Sequence, residues 1–120
     1  MNSTPSQLSR VCAGLDFQIR FNISWDPLPC HLQNGADITG YIIQYSPTSG
    51  GEAQNVSSTQ MTCGQESGGP YRCIIAGSLF NPFQMYTFQV AAINDYGIGP
   101  FSDPVLAIIS QQGINIWIVC

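Results

Sequence analysis

Residues Phe80–Pro104 read FNPFQMYTFQVAAINDYGIGPFSDP. Within them Tyr86, Phe88, Val90 and Ala92 fall on one face of an extended chain and Thr87, Gln89 and Ala91 on the other. That period of two is the mark of a half-buried antiparallel strand. A proline, Pro82, stands four residues before the tyrosine, and Asn94 leads into a turn rich in glycine. Outward from this strand the same alternation recurs. Ile19, Phe21, Ile23 and Trp25 alternate with Arg20, Asn22 and Ser24, and Asp26-Pro27 ends the run. Tyr41, Ile43 and Tyr45 share a face in a third run, after a loop from Pro27 to Asp37 that carries the turn pair Asn34-Gly35. One core is therefore expected to hold Trp25, Tyr41, Ile43, Tyr86, Phe88 and Val90.

The pattern formed by Pro82, Tyr86, Val90, Ala92, Asn94 and Gly97 resembles the sixth strand of a fibronectin type III domain. Trp25 and Tyr41 stand where that family's second and third strands carry aromatic residues. The resemblance covers roughly residues 4–110 and implies an all-β, seven-stranded antiparallel sandwich of immunoglobulin-like topology. It also implies a tyrosine corner, in which the Tyr86 hydroxyl reaches back to backbone near Pro82. The other strands are expected near Gln7–Val11, Ala53–Thr59, Tyr71–Ala76 and Ser102–Ile109, with turn-rich stretches at 47–51 and 64–70. Pro104 suits the start of the last strand, where a missing donor is tolerated. No segment has helical periodicity.

At 120 residues the chain is one domain by length. Only 8% of residues are charged, with three arginines, no lysine and a net charge of −4. No basic cluster exists to neutralise phosphates, which argues against nucleic acid or a polybasic membrane contact. No signal peptide is visible near the start. Five cysteines and the sequons at Asn2, Asn22 and Asn55 nevertheless suit an oxidising, extracellular compartment. The expectation is a fragment of a longer secreted or membrane-anchored protein. The apolar residues 114–120 close the chain; seven residues cannot cross a bilayer, which takes about 20. Residues 111–120 are therefore expected to be an apolar tail, with the start of a truncated membrane span as the alternative.

Cys63 and Cys73 flank a segment with three glycines and a proline, a composition that lets the chain fold back, so a disulfide between them is expected. Zinc would want close pairs such as Cys-x2-Cys, which the sequence lacks. Cys12 and Cys30 lie on either side of the second strand, whose ends would stand about 30 Å apart, too far to bridge unless Cys12 belongs to the first strand. Cys120 is the odd one out and is expected to stay unpaired within the domain.

Catalytic chemistry has little to build on. The single histidine, His31, adjoins Cys30, but neighbours in an extended segment point apart. The seven carboxylates are scattered singly among turns, and Gly97-Ile98-Gly99 lacks the third glycine and helix of a phosphate loop. No cofactor or metal is implied. The resemblance implies a non-catalytic protein-binding or spacer module of an extracellular adhesion protein or receptor ectodomain, its protein partner unidentified. Leu28, Leu32, Tyr96 and Ile98, in two loops expected at one end, are the candidate ligand contacts. A cytokine-receptor-like module is an alternative, although Pro100–Pro104 stands where that group carries Trp-Ser-x-Trp-Ser. An intracellular filament module is another.

Overall fold

A computed structural model of the chain describes residues 3–15, 20–65, 67–76, 85–108 and 117–119. Among them ten strands follow in order: β1 (Cys12–Leu15), β2 (Arg20–Trp25), β3 (Gly40–Pro47), β4 (Gln54–Asn55), β5 (Met61–Gln65), β6 (Tyr71–Ala76), β7 (Met85–Asn94), β8 (Gly97–Ile98), β9 (Val105–Ile108) and β10 (Trp117–Val119). A 3-10 turn, Cys30–Leu32, interrupts the loop between β2 and β3. One sheet runs β10-β1-β2-β6-β5; the other runs β4-β3-β7-β8, with β9 also on β7. Every pairing is antiparallel.

The two sheets meet through the alternating faces expected of them. Phe21, Ile23 and Trp25 of β2 and Tyr86, Phe88, Val90 and Ala92 of β7 are buried in one cluster with Ile43 and Ile75. Tyr41 and Tyr45 pack against its rim. Phe21 and Phe88 bring their rings within 5.2 Å across the interior. At one end of the core Trp25, Tyr41 and Tyr71 form a mutually touching triad, with centroids 4.8–6.0 Å apart. Such pairs contribute about 0.5–1.5 kcal/mol each beyond the area they bury.

Four strand boundaries differ from the sequence expectation, each for a visible reason. The first strand starts at Cys12 instead of running from Gln7 to Val11, because Arg10 adopts a φ of 56° that breaks the extended path. Leu8 and Val11 still reach the core. The strand expected at Ala53–Thr59 contracts to β4. Val56 turns inward, donates its N–H to the Ile43 carbonyl at 2.9 Å, and is followed by a turn closed by Gln60 N–H to Ser57 O at 3.0 Å. That turn carries the chain over to the other sheet, where β5 forms in part of the stretch expected to be turn. The last strand starts at Val105 instead of Ser102, just after Pro104, which has no N–H to donate, and the short strand β8 forms ahead of Pro100. Buried Ser102 fills the gap: its N–H reaches Val90 O at 2.8 Å and its Oγ accepts from Val90 N at 3.0 Å.

Part of the tail also belongs to the fold. Trp117–Val119 pairs with β1 in the register Ala13↔Val119, Gly14↔Ile118, Leu15↔Trp117. Cys120, residues 111–116, and the Pro82 end of the expected tyrosine corner lie outside the described residues, as do Ile19 and Asn2.

Cys63 and Cys73 face each other directly across β5 and β6, with their sulfurs 2.07 Å apart. Cys12 opens β1 opposite Ser24, at the loop end of β2, so the ~30 Å separation from Cys30 that assumed a position beyond the first strand does not apply. Cys30 itself is an exposed free thiol on the 3-10 turn. Asn22 stands on the outer face of β2 between Gly14 and Ile74, and Asn55 is exposed on edge strand β4.

Candidate interaction site at the loop end of the sandwich

The loop between β2 and β3 and the β7–β8 hairpin do emerge together, and the N-terminal segment lies between them. Asn94 is the centre of this arrangement. It is 3% exposed, and its Nδ2 donates to the carbonyls of Ser3 at 2.8 Å and Gln33 at 2.9 Å. Its Oδ1 accepts from the Tyr96 N–H at 2.9 Å, closing the hairpin turn. A buried amide with donors and acceptor all engaged fixes three chain segments to one another.

A second asparagine repeats the device. Asn34 sits at a φ of 63°, a left-handed conformation that asparagine tolerates better than most residues, and Gly35 follows at 99°. Its Nδ2 donates to Thr4 O at 2.8 Å, its carbonyl accepts from Ser3 N–H at 2.9 Å, and Leu32 O accepts from Ser6 N–H at 3.0 Å. On the opposite side Gly99 lets the strap approach: a Cβ there would overlap the Pro5 carbonyl. Residues 3–8 are thus a strap laid between two loops. Nothing in the alternation pattern pointed to it, since its contacts are hydrogen bonds to residues far away in the chain.

This packing sorts the candidate contacts. Leu28 is only 7% exposed and belongs to the core, which corrects its expected place at a ligand surface. Leu32 packs against the same cluster. Tyr96 and Ile98, at 50% and 51%, stand out on the hairpin. Cys30 and His31 are exposed on the neighbouring turn. Arg10 and Asp26 approach to 3.5 Å nearby, an exposed ion pair of little energetic weight. Among the described residues no three His, Cys, Asp or Glu side chains converge as metal ligands.

The family model for the fibronectin type III domain matches residues 18–108. The chain belongs to the fibronectin type III family. Contactin-3 of Mus musculus is 31% identical over 104 residues, which cover 87% of this chain and 9% of that protein. Contactin-3 of Rattus norvegicus matches to the same extent. The chain therefore spans about a tenth of the length of these relatives. Among solved structures the FN1–FN3 domains of chicken CNTN1 align with a TM-score of 0.66 at 25% identity, covering 92% of this chain and 34% of that one. A structure of the titin kinase and its flanking domains aligns at 0.65 and 23% identity, over 92% of this chain and 18% of that one, a likeness of fold alone.

Just inside the loop end of this fibronectin type III domain, the aromatic triad borders a cavity of about 150 Å³ lined by Trp25, Tyr41, Ile43, Met61, Tyr71 and Cys73 among others. That is smaller than the usual pocket for a drug-sized ligand. The Tyr41 phenol is pushed up from 10.0 to about 12, first by burial and then by its hydrogen bond with Tyr71 and by that residue's charge. The Trp25 N–H pulls weakly the other way without meeting hydrogen-bond geometry, so the buried indole nitrogen has no partner. An acid whose folded pKa is raised holds its proton more tightly in the folded state. Its contribution is complete below pH 10 and is lost as pH rises through about 12. Denaturant midpoints are expected to fall across that window, and Tyr41→Phe is expected to flatten the fall. Parallel decline of the two proteins would assign the alkaline transition to another group.

Proposed function

We propose that this fibronectin type III domain is a non-catalytic protein-binding or spacer module of an extracellular adhesion protein or receptor, and that Tyr96 and Ile98 are its contact residues. The observation that carries the reading is the pair itself: two large apolar side chains, half exposed, on a hairpin that Asn94 holds in place. An aromatic anchor already ordered before binding loses little conformational entropy when it docks. Likeness to contactin-3 and to the serial FN1–FN3 domains of CNTN1 supports a module set in a longer chain. The Cys63–Cys73 disulfide supports the oxidising compartment. So do the sequons at Asn22 and Asn55, which lie on an outer face and an open edge where a glycan has room. With no lysine in the chain, the partner is a protein and not a nucleic acid; a membrane is met only through sequence outside these residues.

The test is to tetramerise the biotinylated domain on streptavidin and measure its binding to a panel of cell-surface ectodomains. A Tyr96→Ser, Ile98→Ser variant with an unchanged melting temperature is expected to lose the binding that the parent shows. Equal binding by parent and variant would move the contact elsewhere on the domain. No binding by either would leave the spacer role. Peptide mapping of protein from a secretory host is expected to find the Cys63–Cys73 bond and a glycan at Asn55 or Asn22. Free thiols and bare asparagines there would overturn the extracellular assignment.

A further inference from the structure

The cavity beside the aromatic triad lies on the side of the sandwich where the two sheets are least closed. β5 is the outermost strand of one sheet there. In the facing sheet β4 pairs with β3 at Gln44 and Tyr45, and the Val56 N–H adds a bond at Ile43. Beyond that bond, at Tyr41, no described strand flanks β3 on this side. The space between, about 150 Å³, is walled by Trp25, Tyr41 and Tyr71 and by Met61. Exposed Gly64 and Arg72 stand at its border, and Gly64 has no side chain to close it. An apolar cavity of this volume holds one benzene-sized ring.

The polar groups decide the charge of the occupant. Three aromatic rings alone would favour a cation. No carboxylate lines this space, however, and Arg72 brings a guanidinium to it. The Arg72 side chain meets no carboxylate and no hydrogen-bond acceptor among the described residues. The buried Trp25 indole N–H is a second donor without a partner, whereas the Tyr41 and Tyr71 hydroxyls engage each other. A site whose free polar side-chain groups are all donors asks the ligand for an acceptor, and beside a guanidinium a carboxylate is the strongest. We propose that this cavity binds a small aromatic carboxylate, its ring among Trp25, Tyr41, Tyr71 and Met61 and its carboxylate on Arg72. Neither Tyr96 nor Ile98 lines the cavity, so a domain that binds no protein through its hairpin would still hold such a ligand.

In the test, benzoate is titrated into the isotope-labelled domain, with benzyl alcohol as the uncharged ring and acetate as the carboxylate without one. The indole N–H of Trp25, told from that of Trp117 by a Trp117→Phe variant, reports the cavity directly. Benzoate is expected to shift it saturably and to bind about tenfold more tightly than benzyl alcohol, the return of one charge-assisted contact partly screened by water. Acetate is expected to leave it unmoved. Equal affinity for benzoate and benzyl alcohol would overturn the carboxylate assignment, and a Trp25 resonance that neither ring moves would overturn the site. Perturbations centred on Arg10 or Arg20 would mean an adventitious anion contact and count equally against it. Two variants then place the ligand. Arg72→Gln, at an exposed position, is expected to bring benzoate down to the affinity of benzyl alcohol and leave the latter unchanged. Met61→Phe, which fills the cavity, is expected to abolish the binding of both rings. Undiminished benzoate binding by either folded variant would overturn the proposal; should Met61→Phe fail to fold, Arg72→Gln alone decides.

Discussion

Trp25→Ala is expected to lower the stability of the domain by about 3–5 kcal/mol, the usual cost of truncating a large buried aromatic once the cavity is counted. The size follows from position. Trp25 is 2% exposed, and its ring touches Tyr41 and Tyr71 at 5.0 and 6.0 Å, so its loss strips one side from each phenol. The cavity it leaves would open into the space of about 150 Å³ already beside it. Relaxation of the surroundings is therefore unlike a simple collapse, and water entry through that space offsets only part of the lost burial. Trp25→Phe, which keeps a ring and removes the unpartnered indole N–H, is expected to cost well under half as much. Denaturant titrations of the three proteins at equal slope check both statements. A Trp25→Ala midpoint matching the parent would remove Trp25 from the core.

Asn94→Ala is expected to cost about 2–4 kcal/mol, most of it at the loop end. The substitution leaves the Ser3 and Gln33 carbonyls without their donor and the Tyr96 N–H without its acceptor. A buried polar group left unpaired costs about 1–3 kcal/mol, and the strap's position beside solvent lets water recover part of it. The distinctive outcome is local. Cleavage after Arg10 under native conditions is expected to accelerate, because residues 3–8 lose their central anchor while the ladder of β3 and β7 stays closed. Asn94→Asp keeps the acceptor for Tyr96 but presents anionic oxygen to two carbonyls, and is expected to be at least as damaging. Unchanged proteolysis in both variants would show that the strap is held from elsewhere.

The parts of the fold legible in the sequence are those whose burial repeats every second residue. β2, β3, β6 and β7 declare themselves because Phe21, Ile23, Trp25, Ile43, Ile75, Phe88 and Val90 each occupy an inward position on a local extended run. β5 does not: Thr62, Cys63, Gly64 and Gln65 are all exposed, and the strand exists because β6 offers an edge and Val56 turns the chain toward it. The same holds for β10, whose partner lies about a hundred residues earlier. At the candidate site the exposed hairpin residues were readable from composition, yet Leu28 was not separable from them. A leucine in a loop of prolines reads as surface until its place in the buried cluster that also holds Leu8 and Val11 is known. The strap escaped for a related reason. Its interactions are hydrogen bonds such as the one from Asn94 to Ser3, 91 residues apart, and hydrophobic periodicity carries no trace of them.

The direction of β10 decides how the domain would carry tension. β1 starts at Cys12 beside Ser24 and runs away from the loop end, and β10 runs antiparallel to it, back toward that end. Ser3, bound to Asn34 and Asn94, is already there. A pull applied between Ser3 and Val119 therefore enters and leaves at the same pole. The load between them falls on the β1–β10 ladder one hydrogen bond at a time, an unzipping geometry that yields at low force and leaves the core of Trp25, Phe88 and Val90 out of the path.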